Sequence, residues 1–295
     1  MTPLLLAFAL CRALAAGAVA VLFGAGAMLA LGGSPRLELE TEAALRRVFR
    51  LAGIVGLAAT LCLLPLQAAS IAGDWHAMFD EGMLDTVILQ TRYGQVWIVR
   101  AVAAAALLGV VLGLRPGSPS LIAGVAALAL APLALSGHAA MHEGWLGLAH
   151  ALNDFLHVLA AAFWLGSLPV FLLWLAAWRR PAWRRDATRA LLRFSAWGHV
   201  AVAVLLLSGV ANAALILGPG LPDPASGYVQ VLLVKALLAL AMTGLALRNR
   251  YRWIARIRTQ PVVALRAIRR NTLWELALGA LVLAVAGLLG LMSPH

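Results

Sequence analysis

The sequence predicts an all-α fold: a polytopic membrane bundle of about eight transmembrane helices. Two observations carry this. Hydrophobic residues make up 63% of the 295-residue chain, with a mean hydropathy of +0.91, and several apolar runs reach the length of about 20 residues that spans a bilayer. The basic residues, moreover, are gathered in alternate connections between those runs, as expected of a chain that crosses a membrane repeatedly.

The spans read in order at 4–31, 48–72, 94–113, 120–137, 150–176, 194–217, 228–247 and 271–291. The first has no basic stretch before it and exceeds the apolar core of a secretory signal, so it counts as a span. The next three follow as apolar runs separated by short connections. The fifth holds FWLGSLP, where Gly166 and Pro169 predict a kink that opens a cavity. The last three alternate with Arg-rich segments. The connections leave no room for a soluble domain, so residues 1–295 form a single integral membrane domain. Cys11 and Cys62 lie in separate spans without a C-x-x-C pattern, as buried small hydrophobes or soft ligands for Cu(I).

The net charge of +11 raises a nucleic-acid reading that its distribution opposes. Segments 36–50, 114–119, 178–193 and 248–270 hold most of the arginines. The intervening connections 73–93, 138–149 and 218–227 hold one arginine and six acids: Asp74, Asp80, Glu81, Asp85, Glu143 and Asp223. The positive-inside rule then places both termini and the acidic, His-bearing connections outside the cytoplasm. The surrounding partner is the lipid bilayer, not nucleic acid. Tryptophans mark the two boundaries: Trp75, Trp97 and Trp145 on the outer side, and Trp178, Trp183, Trp253 and Trp274 on the inner.

An internal repeat is visible. Residues 93–115 align with 228–250, matching Tyr93 with Tyr228, Gln95 with Gln230 and Arg100 with Lys235, and 49–73 aligns with 194–218. This predicts two parallel four-helix halves, about 1–137 and 138–295.

The chemistry is concentrated in the second half. The stretch SGHAAMHEGWLGLAHALNDFLH at 136–157 supplies His138, His142, His150 and His157, with Met141 and Asp154 between them. Ionisable side chains at membrane depth are costly and mark function. Imidazole with thioether suits copper; carboxylate favours Cu(II), the methionines Cu(I), and zinc stays open. His150, Asp154 and His157 are spaced i, i+4, i+7, on one helical stripe. His138 and His142, four apart, form a bidentate pair if the fourth span continues as a helix. His76, in GDWHAMFDEGM at 73–83, adds an outer capture or lid segment. His199 starts the sixth span at a depth similar to Glu275 and is an inner way-station or half of a structural His–Glu pair. The three basic groups at membrane depth, Arg12, Arg100 and Lys235, pair with acids or snorkel.

The runs SGHA, LNDFLHVLAAAFWLGSLP, RFSAWGHVAV, YVQVLLVK and WELALG resemble the copper resistance protein D family. The resemblance covers most of the second half. Its most specific part is Asp154, His157, Trp164 and Gly166, although the family has a second glycine where this chain has Ser167. It implies an inner-membrane protein that moves copper from periplasm to cytoplasm, often partnered by a separate small periplasmic copper carrier of the CopC type. It implies a transporter and not an enzyme. The competing reading is a membrane redox protein, a b-type haem protein or copper oxidoreductase using the same histidines. A third is a copper-sensing or assembly module without transport.

Overall fold

A computed structural model of the chain describes residues 2–113, 118–134, 141–218 and 223–294. Among them are nine α-helices and no strand: α1 (Pro3–Gly32), α2 (Pro35–Ala72), α3 (Glu81–Gln90), α4 (Arg92–Gly113), α5 (Pro119–Leu130), α6 (Gly144–Ala177), α7 (Arg184–Leu217), α8 (Gly227–Leu247) and α9 (Pro261–Leu289). Seven of these, all but α3 and α5, are long and apolar enough to cross a membrane. α5 is a shorter apolar helix continued by a 3-10 turn to Leu133. The protein is an all-α polytopic helical bundle.

Four helices start with proline at the first turn, Pro3, Pro35, Pro119 and Pro261, where the missing N–H would have had no intrahelical partner. α2 ends at Gly73, whose φ of 71° is open to glycine without a Cβ clash. Several helices outrun the apolar windows: α2 starts at Pro35, α6 at Gly144, α7 at Arg184 and α9 at Pro261. Hydropathy marks only the lipid-immersed part. The Arg-, Ala- and Leu-rich flanks are good helix formers and carry the helices into water.

α1 is the central element, packed against α2, α5, α6 and α9. With lipid outside, apolar side chains gain little by moving inward, and close backbone approach takes over. α1 and α6 cross where Gly24 meets Gly166: a Cβ on Gly166 would run into the Ala20 carbonyl, and one on Gly24 into the Ala162 carbonyl. α6 runs through Pro169 as one helix, and the space beside Gly166 is filled by α1, so the cavity expected there is not found at Gly166.

The inner end of the α2–α6 contact is pinned by Trp174, which is 0% exposed. Its Nε1–H donates to Thr41 Oγ1 at 3.1 Å, and Thr41 Oγ1 donates to the Leu37 carbonyl at 2.7 Å. Trp174→Phe leaves the hydroxyl without that donor in a buried site. The expected cost is about 1–2 kcal/mol, measurable as a lower unfolding midpoint in detergent with the helical content unchanged.

The connection 73–93 is ordered: a 3-10 turn (Trp75–Phe79) leads into α3. Val87 is buried against Leu64 and Ala68, so the segment packs on α2 and α4. Arginines at the opposite end stack on tryptophans, Arg36 on Trp183 at 4.9 Å and Arg184 on Trp178 at 5.1 Å, the arrangement of an interfacial belt. Apolar side chains of α4, α7 and α8, among them Val102, Leu207 and Leu237, face outward, as lipid requires.

α4 lies along α2, whereas α8, which the sequence repeat aligns with α4, packs on α9. Lys235 of α8 remains within electrostatic reach of Asp154 and His157 on α6.

Candidate functional site

The site is built on the first four turns of α6. Gly144, with φ of 60°, reverses the chain at the start of the helix. A Cβ on Gly147 would collide with the His142 carbonyl, so glycine there lets residues 141–143 fold over the first turn. The result is a contact between two histidines eight residues apart. His142 Nδ1 and His150 Nδ1 are 3.1 Å apart, with ring centroids at 5.2 Å and an interplanar angle of 61°. His150 is 1% exposed, His142 is half-buried and Met141 lies exposed beside it. His142 is not helical, so the condition for a helical His138–His142 pair is not met at His142. His138 lies outside the described residues.

Two nitrogens bound to one metal ion at about 2.0–2.1 Å each, at 90–110° between bonds, stand about 3 Å apart. The His142–His150 spacing matches that. Gly147→Ala tests the link from backbone to site: it is expected to push His142 off His150 and weaken copper binding about tenfold, with an unchanged unfolding midpoint. Titration of the purified protein with copper checks both.

One turn deeper lies a polar network between α6 and α7. Asn212 Nδ2 donates to Asp154 Oδ1 at 2.8 Å. Asn153 Nδ2 donates to Asn212 Oδ1 at 2.7 Å and to the Ser208 carbonyl at 2.9 Å, which fixes the Asn212 amide with its N–H₂ toward Asp154. His157 Nδ1 stands 3.2 Å from the Leu205 carbonyl and 3.1 Å from Ser208 Oγ. A carbonyl only accepts, so Nδ1 carries the proton and donates. Nε2 is left with the lone pair, the tautomer found in metal-ligating histidines oriented by a backbone carbonyl.

His150, Asp154 and His157 thus share one stripe of α6 spanning about 10 Å. Among the described residues, however, no three His, Cys, Asp or Glu side chains converge to hold a metal ion. The structure brings together one histidine pair and, below it, one oriented carboxylate and one oriented imidazole.

The other candidates lie apart. His76 is 94% exposed, with Nδ1 donating to Asp74 Oδ1 at 3.0 Å. The two N–H donors of His76, side chain first and backbone second, hold the Asp74 carboxyl below the usual carboxylate range. His199 is exposed on α7, with Nδ1 against the Ser195 carbonyl at 2.5 Å and Nε2 3.3 Å from the Tyr251 hydroxyl. It lies nine residues before Ser208, about 13 Å along the helix, and forms no pair with Glu275. The Glu275 carboxyl instead accepts from Asn249 Nδ2 at 3.1 Å and from the Trp164 indole. Depth placed His199 and Glu275 together; rotation about their helices separates them.

The sequence reading missed Asn153, Ser208 and Asn212 as members of the site. The signal was present: Ser208 and Asn212 are four apart in an otherwise apolar run and so share a helix face. Ser167, in place of the second glycine, is buried with its hydroxyl donating to the Trp164 carbonyl at 2.9 Å.

The fold and these side chains define a class: multi-pass helical membrane proteins that carry imidazole and carboxylate groups inside the bundle at one end. The chain belongs to the copper resistance protein D family. The model of the copper resistance protein D-like N-terminal domain matches residues 1–148, and that of copper resistance protein D matches residues 188–289. Similar proteins include inner membrane protein YebZ of Escherichia coli (strain K12), 35% identical over 82% of this chain and 83% of its own length. Copper resistance protein D of Pseudomonas syringae pv. tomato is 31% identical over 82% of each. Copper transport protein CutJ of Bacillus subtilis (strain 168) is 33% identical over 60% of this chain and 34% of its own length.

Proposed function

We propose that this protein binds copper and carries it across the inner membrane, from periplasm to cytoplasm. The observation that carries the reading is the 3.1 Å approach of His142 and His150 Nδ1 at the end of the bundle opposite the arginine-rich segments. That end faces the periplasm by the positive-inside rule, with both termini on the same side.

The pair is the entry site, with Met141 beside it; His138, outside the described residues, is proposed as a further ligand on sequence grounds. Asp154 and His157 form the next station, with Asn212 and the Leu205 carbonyl orienting them. His76 collects copper on the outer surface, where a separate CopC-like periplasmic carrier delivers it. His199 lies at the cytoplasmic release side. Several incomplete sites in series suit transport, because one saturated cage would trap the ion. Copper is cargo in either oxidation state: imidazole and carboxylate accept Cu(II), and Met141 beside the pair accepts Cu(I).

The b-type haem alternative draws no support from this pair. Axial nitrogens on either side of one iron, at about 2 Å each, stand about 4 Å apart across the porphyrin, farther than 3.1 Å.

Reconstitution into liposomes tests transport. Wild type is expected to take up copper ions, and His150→Ala to reduce the rate at least tenfold. Copper bound by wild type without uptake would overturn transport and leave a binding module.

A further inference from the structure

A second buried polar cluster lies two turns inward on the same stripe of α6. Trp164 follows His157 by seven residues, as His157 follows His150, so the three side chains descend one face at about 10 Å per step. Trp164 is 4% exposed and its indole N–H donates to Glu275 of α9, which is 3% exposed. Asn249 Nδ2 donates to Glu275 Oε1 at 3.1 Å, and Asn271 Nδ2 donates to Asn249 Oδ1 at 2.8 Å. Asn249 belongs to a π-helical turn, Arg248–Trp253, that follows α8. Such turns are rare and concentrate at functional sites.

No described ion pair includes Glu275. The charged groups of every neighbouring element are otherwise directed. From the π turn, Arg248 and Arg252 stack on Trp253, and Arg250 adds no charge interaction with the carboxyl. On α9 itself, Arg266, Arg269 and Arg270 are exposed. From α8, Lys235 interacts with Asp154 and His157. From α1, Arg12 sits against Gly290, about 22 Å along α9 from Glu275. From α7, His199 is engaged by Ser195 and Tyr251, and α6 contributes the uncharged Trp164 and Ser167 here. An intramembrane carboxyl with hydrogen-bond donors but no counter-cation can change its charge only by exchanging a proton.

We propose that Glu275 is a proton-binding site that holds its proton while the α6 path is empty and releases it toward the cytoplasm when a copper ion enters. The inference rests on the copper reading above. Its driving force is charge balance: Lys235 is already faced by Asp154, so a cation entering the low-dielectric bundle adds an uncompensated positive charge, and loss of one proton restores the net charge. The carboxyl O–H bond breaks, the proton passes to water at the polar Asn249 end, and no electron moves. One monovalent copper ion exchanges for one proton.

Infrared difference spectroscopy of the full-length protein in detergent, with copper ions as the only added ligand, tests this. Wild type at neutral pH is expected to show a protonated-carboxyl band that disappears on copper addition. The band is absent in Glu275→Gln and shifted in Trp164→Phe, which keeps the carboxyl and removes one donor should the Gln variant fail to fold. A pH dye in weakly buffered solution is expected to register about one proton fewer per copper ion in Glu275→Gln. Identical spectra in wild type and both variants would overturn the site. A band unmoved by bound copper would overturn the linkage alone, whereas wild type that binds no copper would overturn the linkage together with the copper reading.

Discussion

His150→Ala is expected to weaken copper binding about 100-fold or more, and the His142→Ala/His150→Ala pair to remove the outer site. Changing a residue that only orients a metal ligand costs 10–100-fold, and a direct ligand costs at least the top of that range. His150 is the buried partner, held by α6, while His142 comes from a non-helical segment. His142→Ala alone is therefore expected to have the smaller effect, because water or Met141 can replace a half-buried ligand carried by a non-helical segment. Neither change touches the α1–α6 crossing, so both variants should keep the helical content of the wild type. Competition titration with a chromogenic copper chelator measures the affinities, and equal affinities for wild type and the double variant would contradict the assignment.

The largest stability effect is expected at that crossing. Gly166→Ala sets a methyl group against the Ala20 carbonyl, and backbone cannot move aside as a flexible side chain can. Overpacking of a tight contact costs about 1–3 kcal/mol, and here the upper end is expected because Gly24 faces the same point from α1. Gly109→Ala, on α4, is the control. A Cβ there meets nothing within 4 Å, and alanine is the better helix former by about 1 kcal/mol. Thermal unfolding in detergent should show Gly166→Ala well below wild type and Gly109→Ala at or slightly above it.

What was legible in the sequence follows from what is local. Pro3, Pro35, Pro119 and Pro261 stand at helix starts because proline needs no partner for an N–H, a signal that the spans begun at 48 and 271 did not use. The stripe of His150, Asp154 and His157 is legible because an α-helix converts spacing into direction. The approach of His142 to His150 is not. It depends on the reversal at Gly144 and the close contact at Gly147, and a six-residue gap from 144 to 150 gives no hint that the chain doubles back. The partners of Asp154 and His157 come from α7, some fifty residues away, and only the four-residue spacing of Ser208 and Asn212 announces a polar face there. Span boundaries suffered for another reason: hydropathy reports immersion in lipid, while the helices at Pro35, Arg184 and Pro261 start in water.

Family membership ties this chain to copper-resistance proteins, and the site proposed above lies at one end of one helix. X-ray absorption of the copper-loaded protein tests that claim most directly, when wild type is compared with His142→Ala/His150→Ala. The account predicts a wild-type spectrum with at least two imidazole nitrogens near 2.0 Å, and their loss from the double variant together with the metal. Copper retained by the double variant with the same imidazole signal would place the site elsewhere and contradict the account.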